Sequence, residues 1–220
     1  MKHPQQKVYK DLIMFGEAGY YPIQFLESPV KGYKERTVEN AKADCTIAIA
    51  ADFTSAGEIL TKKSVLKNKK LYCDIDISRV LEVPKGLIDL TVASFNRHNI
   101  RTLNIAGNSI STLRNQYSQQ QLDYFTYALL REIILHPNLQ NKIVSIRSGG
   151  QTGIDEAGVK AGYLLGIPTT ILASKGWTFR DAVYMDISDE HRFKARFDKV
   201  QAWDKLNWEK FNEEVQKYIV

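Results

Sequence analysis

The chain has few of the features that would tie it to a membrane, a metal ion or an oxidising compartment. Cys45 and Cys73 are its two cysteines, and neither lies in a CxxC or histidine-rich context. We therefore expect two reduced thiols and no zinc site. No apolar run approaches the roughly 18 residues of a membrane span, and the N-terminal stretch lacks the apolar core of a signal peptide. These absences predict a cytoplasmic protein with no membrane partner.

Clustered charge and metal-binding patterns are also missing. The formal net charge is +5, with lysines and arginines scattered along the chain. The densest basic stretch, TKKSVLKNKK at 61–70, lies on a predicted helix, and we interpret it as a solvated helix face rather than a nucleic-acid patch. A nucleic-acid partner is thus not expected. The four histidines are His3, His98, His136 and His191. Their spacing is not that of metal ligands, and none can be assigned to a Ser–His–Asp set.

What the chain does have is an alternation of short apolar runs and amphipathic stretches. The apolar runs predict buried strands at 44–51, 70–77, 100–107, 141–148 and 167–174. Helices are predicted at 36–43, after 52, at 118–137, after the glycines at 149–153 and at 207–220. Residues 22–34 are turn-rich and predict irregular structure; the segment around Pro84 and Gly86 gives no prediction. This order predicts an α/β fold, a mostly parallel sheet with helices on both faces.

Two of the predicted helices carry specific packing expectations. In the helix after 52, Ile59, Leu60, Val65 and Leu66 are candidates for inward positions. In the helix at 118–137, an apolar stripe is preceded by Ser118 as a candidate cap and followed by Pro137. The stripe consists of Leu122, Phe125, Leu129 and Ile133. The C-terminal helix presents Trp208, Phe211, Val215 and Tyr218.

Three of the predicted strands run into loops of glycine and small polar residues. Ligands bind at the carboxyl ends of parallel strands, where backbone N–H groups and helix N-termini can hold an anion. The loops are SGGQTG at 148–153, DFTSAGE at 52–58 and the IAGNS stretch around Gly107 and Asn108. Each is also compatible with a tight turn or, at Thr54 and Ser55, with a simple helix cap. Three such loops at one sheet edge favour a phosphate- or nucleotide-sized pocket.

The candidate acid–base residues lie next to these loops. Asp155, Glu156 and Glu58 fall in first helical turns, where the dipole favours the ionised carboxylate. We therefore expect three ionised groups that make poor general acids, and ordinary first-turn carboxylates are the alternative interpretation. Lys175 and Trp177, with Arg180, could supply a stacking face and charges after the last strand, or form an exposed loop.

The stretch SGGQTGIDEAGVKAGYLLGIP, followed by SKGWTFRD, resembles the SLOG superfamily. These Rossmann-like proteins include DNA-processing recombination mediators and LOG phosphoribohydrolases. Two further stretches, CTIAIAADFTSAGEILT and LNIAGNS, resemble a circularly permuted branch of this superfamily that is labelled as molybdenum carriers. In that branch the SGGQTG segment comes first. Here it follows the other two stretches, which predicts a further rotation of the same order of elements. The resemblance covers about 36–181 of one domain, 1–220, with residues 1–35 and the helix at 205–220 as appendages.

The resemblance implies a pocket for a nucleotide, a nucleotide derivative or a phosphosugar. We expect no cofactor, and no metal despite the molybdenum label, because the sequence contains no cluster of metal ligands. By position, the ligand-binding candidates are Gly149, Gly150, Gln151, Thr152 and Gly153, together with Thr54, Ser55, Ala56 and Gly57. Ser148, Gly107, Asn108, Lys175 and Trp177 join them from the loops described above.

Three functions follow from this pocket. The first is a sensor or sequestering protein for an ADP-ribose-like or cyclic nucleotide. The second is a nucleotide N-glycosidase or phosphoribohydrolase, which the missing PGGxGTxxE pattern of the LOG enzymes disfavours. The third is a DNA-processing mediator, which would need a contiguous basic groove. We also expect a homo-oligomer, and we expect Gly150→Asp to abolish nucleotide binding while leaving the fold intact.

Overall fold

A six-stranded, entirely parallel sheet forms the centre of the molecule. The computed structural model describes residues 21–183, 185–201 and 205–219. The strands of this sheet are β1 Gln24–Glu27, β2 Cys45–Ala50, β3 Leu71–Asp76, β4 Thr102–Gly107, β5 Ser145–Ser148 and β6 Thr169–Ala173. They lie in the order β1-β6-β5-β4-β2-β3. The α/β, Rossmann-like class predicted from the sequence is confirmed.

Helices alternate with these strands. They are α1 Lys34–Asn40, α2 Ala56–Lys67, α3 Lys85–His98, α4 Ile110–Leu113, α5 Gln119–Ile134, α6 Ile154–Leu164, α7 Glu190–Gln201 and α8 Lys205–Gln216. A separate antiparallel hairpin, β7 Thr178–Arg180 and β8 Asp186–Ser188, follows β6. Within the residues described, no helix is long and apolar enough to span a membrane.

The strongest sequence patterns match the structure closely. All six residues of β2 are buried, as expected for an apolar run in the interior of a parallel sheet. In α5, Leu122, Phe125, Leu129 and Ile133 are fully buried. The Ser118 hydroxyl accepts a hydrogen bond from the backbone N–H of Gln121, whose side chain in turn accepts from the Ser118 N–H. This capping box fixes the start of the helix.

Three local predictions were wrong or incomplete. Residues 22–34 are not wholly irregular, because β1 pairs with β6 at the edge of the sheet. The unassigned segment around Pro84 is α3, with Pro84 at the N-cap position. In α2, Val65 is buried but Ile59 and Leu66 are 42% and 59% exposed. The polar residues Thr61 and Ser64 take the inward positions in their place.

The C-terminal helices pack against the same core. Phe193 and Phe197 of α7, and Phe211 and Val215 of α8, are buried, and Tyr218 packs partly against them. The side chain of Trp208 lies outside the described residues, as does His3. Cys45 and Cys73 are free thiols on adjacent strands, with their Sγ atoms 3.7 Å apart.

The sheet order places the three small-residue loops side by side. β5, β4 and β2 are neighbours, and all are parallel. Their carboxyl ends therefore meet at one edge, which the predicted pocket requires.

Candidate functional site

A cavity of about 460 Å³ opens at the carboxyl ends of β2, β4 and β5. This volume lies in the range of small-molecule sites, roughly 300–1,000 Å³. Its walls come from α1, the start of α2, the end of β4 and the loop after β5. The lining residues are Tyr33, Arg36, Thr37, Asn40, Ser55, Ala56, Gly57, Glu58, Leu60, Thr61, Asn104, Ala106, Gly107, Asn108, Ser109, Thr112, Gly149, Gln151, Asp155 and Arg180.

The cavity brings together part of the predicted set of site residues. The predicted residues that line it are Ser55, Ala56, Gly57, Glu58, Gly107, Asn108, Gly149, Gln151 and Asp155. The predicted residues that do not line it are Thr54, Ser148, Gly150, Thr152, Gly153, Glu156, Lys175 and Trp177. The division runs through the SGGQTG loop itself. Gly149 and Gln151 line the cavity, and the other four residues of the loop do not.

The SGGQTG loop has partners of its own for much of its backbone. The Gly153 N–H donates to Gln119 Oε1 at 2.6 Å, and the Ile154 N–H donates to the Asn108 carbonyl at 3.2 Å. The Asp155 carboxylate accepts from the Gln151 N–H at 3.5 Å and from Arg36 Nη1 at 3.4 Å. A backbone bond from Gly107 also stabilises it. Asp155 thus takes the place that a bound anion would occupy in such a nest of N–H groups.

Two glycines of this loop allow close packing rather than ligand approach. A Cβ on Gly149 would lie 1.7 Å from Arg36 Nη1, so the missing side chain makes room for the guanidinium. Gly150 has a φ of +69°, and its Cβ would lie 2.6 Å from Ile171 and from Phe193. The expectation that Gly150→Asp leaves the fold intact is therefore wrong, because a carboxylate there would enter an apolar contact in a strained backbone.

The loop before α2 is built differently. The Asn108 side chain accepts from the N–H groups of Ala51 and Asp52, both at 2.9 Å, and donates to the Asp52 carbonyl. Ser55 caps α2 by accepting from the Glu58 N–H. The N–H groups of Ala56 and Gly57 occupy first-turn positions, which have no partner within a helix. A Cβ on Gly57 would meet nothing within 4 Å. This helix start is therefore open to a ligand.

Four buried polar atoms without a hydrogen-bond partner belong to residues that line the cavity. They are Arg36 Nε, Asn40 Oδ1, Glu58 Oε2 and Asn104 Oδ1. The four residues are between 2% and 6% exposed. Buried polar groups in folded proteins nearly always have partners. The four residues that carry these atoms all border this one cavity.

The two carboxyl groups of the cavity differ from the sequence expectation. Burial, together with the charges of Asp155 and Asp52, raises the pKa of Glu58 to about 8. Burial also raises the pKa of Asp155, and the neighbouring Arg36 opposes that shift. The expectation that these first-turn carboxylates are ionised is wrong for Glu58, since desolvation outweighs the helix dipole. Glu58 is protonated at neutral pH.

Glu156 joins helices rather than facing the cavity. Its two carboxylate oxygens are 2.7 Å from Lys160 Nζ and 2.7 Å from Arg196 Nη1. Lys160 also contacts Asp123 of α5. Because both oxygens of Glu156 are bound by cations, its carboxylate holds α6 against α7 and has no free position for a substrate.

The segment after β6 contributes one side chain to the site. Trp177 packs edge-on against Phe193 with ring centroids 5.5 Å apart, and Lys194 Nζ lies 4.8 Å from its ring centre. Lys175 is exposed. Arg180 lines the cavity and its Nε lies 2.9 Å from Asp186 Oδ1. Arg180, and not Lys175 or Trp177, therefore brings positive charge to the cavity.

Tyr33, Arg36, Asn40 and Asn104 are among the cavity residues that the sequence did not predict. Tyr33, Arg36 and Asn40 come from a segment with no motif, and their positions depend on how α1 packs over the sheet. Asn104 had a signal: it is an amide within the apolar strand LNIAG, and it is 2% exposed. Its Nδ2 donates to Thr46 Oγ1 on β2 at 3.1 Å, and its Oδ1 is buried without a hydrogen-bond partner. No group of potential metal ligands was found among the described residues.

A sequence profile of the circularly permutated YpsA SLOG family matches residues 14–128, more than half of the chain. The chain belongs to this family. The match includes the cavity residues of α1, α2 and β4 and ends before the SGGQTG loop. Membership points to nucleotide-related binding or processing and to a small-molecule ligand. No curated protein matches the chain.

Proposed function

We propose that the protein binds a nucleotide or a nucleotide-derived phosphorylated small molecule, of the ADP-ribose-like or cyclic-nucleotide kind, as a sensor or a sequestering protein. One observation carries this proposal: a cavity of about 460 Å³ at the carboxyl edge of the sheet is lined by four residues that each carry a buried polar atom without a hydrogen-bond partner. The family points in the same direction. The phosphate takes the open N–H groups of Ala56 and Gly57, where the α2 dipole favours an anion.

The charges around the cavity fit such a ligand. Arg36 and Arg180 supply two guanidinium groups. Because its pKa is about 8, Glu58 is neutral at pH 7 and does not repel a phosphate. Asp155 is the carboxylate that remains, and its charge is offset by Arg36. A phosphate in the cavity would meet these two guanidinium groups, each already paired with a carboxylate, and the negative charge of Asp52 near Glu58.

A mass spectrum of the small molecules released from denatured, freshly purified protein tests this proposal. We expect a nucleotide-derived species in near-stoichiometric amount. If the purified protein is empty, we expect nucleotides to raise its melting temperature, and inorganic phosphate to raise it only weakly. Sequestration predicts that the ligand is recovered unchanged after long incubation in excess over protein. The absence of any nucleotide-derived species, together with no thermal response to nucleotides, would contradict the proposal.

A second candidate function is cleavage of an N-glycosidic bond, favoured by the protonated Glu58. A neutral carboxylic acid in the cavity can donate its proton to a departing base. Asp155, whose charge raises the Glu58 pKa, could stabilise the positive charge that develops on the sugar. Chromatography of the ligand pool separates the two functions: multiple turnovers to free base, lost in Glu58→Gln while binding persists, would establish the hydrolase. Unchanged ligand would exclude it.

We also propose that the order of elements is a further rotation of the permuted family arrangement. In support, the family match begins at residue 14 and stops before the SGGQTG segment, which forms the next strand–loop–helix unit of the same sheet. A permutant that starts just before β5, with the present termini joined, should fold and keep ligand binding. Loss of the fold in that permutant would argue against this relation.

A further inference from the structure

The hairpin formed by β7 and β8 reaches the cavity through Arg180, the residue of these two strands that lines it. Each strand of the hairpin has three residues, and the pair forms a sheet of its own. A two-stranded hairpin is at best marginally stable by itself. Its position, and with it that of Arg180, therefore depends on contacts with the rest of the molecule.

Gln151 and Thr152 of the SGGQTG loop provide such contacts. Gln151 Oε1 accepts from the Arg180 N–H at 2.9 Å, and Gln151 Nε2 donates to the Thr178 carbonyl at 3.3 Å. The Thr152 hydroxyl donates to the Arg180 carbonyl at 2.5 Å. The edge of a short strand presents unpaired N–H and C=O groups. Here two side chains of the loop bind three of these groups on β7.

The placement of these two side chains suits the docking of the hairpin better than contact with a ligand. Thr152 is 8% exposed and does not line the cavity. Gln151 does line the cavity, but the oxygen and the nitrogen of its amide both bond the β7 backbone. The polar side chains of the SGGQTG loop are therefore engaged with the hairpin.

A second set of contacts fixes the side chain of Arg180. Its Nε and Nη2 lie 2.9 Å and 3.3 Å from the two carboxylate oxygens of Asp186 on β8. Asp186 also accepts from the Tyr33 hydroxyl at 3.2 Å, and Tyr33 lines the cavity. A bidentate pair of this kind fixes the orientation of a guanidinium group. Arg180 is thus held at its backbone by the SGGQTG loop and at its side chain by Asp186.

We infer that Gln151 and Thr152 are positioning residues, which hold the β7–β8 hairpin so that the Arg180 guanidinium meets the anionic part of the ligand. This inference rests on the proposed function and makes the hairpin a part of the ligand site. Removing the contacts between the loop and β7 should weaken ligand binding only to the extent that Arg180 contributes to it.

Thr152→Val tests the inference, because it removes a hydroxyl that bonds the Arg180 carbonyl from a residue outside the cavity lining. The full chain is titrated calorimetrically with ADP-ribose, AMP, cyclic AMP and cyclic GMP, and the tightest binder of the four is used throughout. We expect Thr152→Val to bind it about fivefold more weakly.

Thr91→Val is the matched control for this variant. The Thr91 hydroxyl also donates to a backbone carbonyl, that of Leu87, from a buried position outside the cavity lining. The control should keep the wild-type affinity within about twofold.

A double-mutant cycle with Arg180→Ala separates positioning from a general loss of structure. Arg180→Ala alone should weaken binding about tenfold. In its background Thr152→Val should change the affinity by less than about twofold, because the contact that Thr152 positions is gone. The same loss in both backgrounds, or unchanged affinity in Thr152→Val or in Arg180→Ala, would overturn the inference and leave the proposed function standing. No binding of any of the four probes to the wild-type chain would overturn both.

Gln151→Ala gives a second measurement, which needs no ligand and also serves if Thr152→Val does not fold. It removes the acceptor of the Arg180 N–H. Hydrogen exchange of the Arg180 amide, followed by NMR, should become about tenfold faster or more. It should not change in Gln140→Ala, the control at an exposed glutamine outside the cavity lining. An unchanged exchange rate in Gln151→Ala, or an affinity loss that persists in the Arg180→Ala background, would overturn the inference.

Discussion

Two glycine-bearing loops enter helices at the same sheet edge, yet they do opposite things. In the loop before α6, the Asp155 carboxylate accepts from the Gln151 N–H, and Gln119 and Asn108 accept from the N–H groups of Gly153 and Ile154. In the loop before α2, the side chains of Asp52 and Ser55 accept from the N–H groups of Thr54 and Glu58, while Ala56 and Gly57 line the cavity. Glycine therefore does not by itself identify a phosphate site, because the same residues also allow a chain to pack closely against itself.

The difference lies in the hydrogen-bond partners of the two first-turn carboxyl groups, Asp155 and Glu58. Asp155 is bound by Arg36 and by backbone donors, so its charge has compensation. Glu58 has one oxygen with no partner and a pKa of about 8. The first arrangement stabilises a loop; the second is a buried acid left for a ligand.

The largest expected effect is the difference in unfolding free energy between the variants Gly150→Asp and Gly57→Asp. At Gly150 the new side chain meets Ile171 and Phe193 at positive φ, and we expect a loss of about 4 kcal/mol or more in unfolding free energy. At Gly57 the space is open and a first-turn aspartate suits the dipole, so the change should stay within about 0.5 kcal/mol. Urea denaturation measures both.

Nucleotide titration of the same pair completes the contrast. Gly57→Asp should fold normally and lose binding, since its carboxylate occupies the phosphate position. A stable Gly150→Asp protein, or unchanged affinity in Gly57→Asp, would reverse the roles assigned to the two loops.

Arg36→Lys tests the cation that the two loops share. Lysine keeps the charge but loses the planar fork that contacts Asp155 and the Nε donor at the cavity. We expect nucleotide affinity to fall roughly 30-fold, about 2 kcal/mol. Arg147→Lys is the matched control, because Arg147 binds the Glu39 carbonyl and does not line the cavity. Equal nucleotide affinities of the two variants would show that Arg36 does not take part in ligand binding.

Glu58→Gln tests the buried acid through the pH dependence of stability. The pKa of Glu58 is about 8 in the folded chain, against 4.5 as its ordinary value. In that window the unfolded state has released a proton that the folded state keeps, so unfolding free energy falls as pH rises from 4.5 to 8. Glu58→Gln should remove this slope and stabilise the protein at pH 8 by about 4 kcal/mol.

Glu35→Gln, at an exposed first-turn position of α1, is the control for that experiment and should leave the slope as it is. Denaturant titrations at pH 5 and pH 8 suffice for the comparison. The same wild-type slope in Glu58→Gln would place the titrating group elsewhere.

The smallest effect is expected at the thiols. Cys45 starts β2 at the end of the strand opposite the cavity, and Cys73 lies beside it on β3. Serine at both positions should lower stability by about 1–2 kcal/mol and leave nucleotide affinity within about twofold. Loss of affinity in the folded double variant, or a disulfide in freshly isolated protein, would contradict this.

The sequence predicted the fold well for elements whose residue pattern can be read without knowing their neighbours in space. The apolar run of β2 and the capped stripe of α5 need no tertiary information. β1 could not be predicted, because four residues among prolines and glycines become a strand only by pairing with β6. α3 could not be predicted because Pro84 and Gly86 conceal its start.

The candidate site was predicted in location but not in composition. Its three loops follow from the strand order, and they do meet. The protonation of Glu58 and the contribution of Arg36 and Asn40 depend on how α1 covers the sheet edge. Burial of this kind depends on contacts between distant segments, and no local spacing encodes it. Likewise, Gly149 and Gly150 are glycines because Arg36, Ile171 and Phe193 occupy the space that a Cβ would need.

Backbone amide shifts in a nucleotide titration, followed by NMR on nitrogen-labelled protein, test the central claim most directly. We expect large, saturable shifts at Ala56 and Gly57, the proposed phosphate site, with smaller shifts at Gly150 and Gly153, which other residues already surround closely. The largest shifts at Gly150 and Gly153, with Ala56 and Gly57 unmoved, would show that the SGGQTG loop holds the phosphate and would contradict the account.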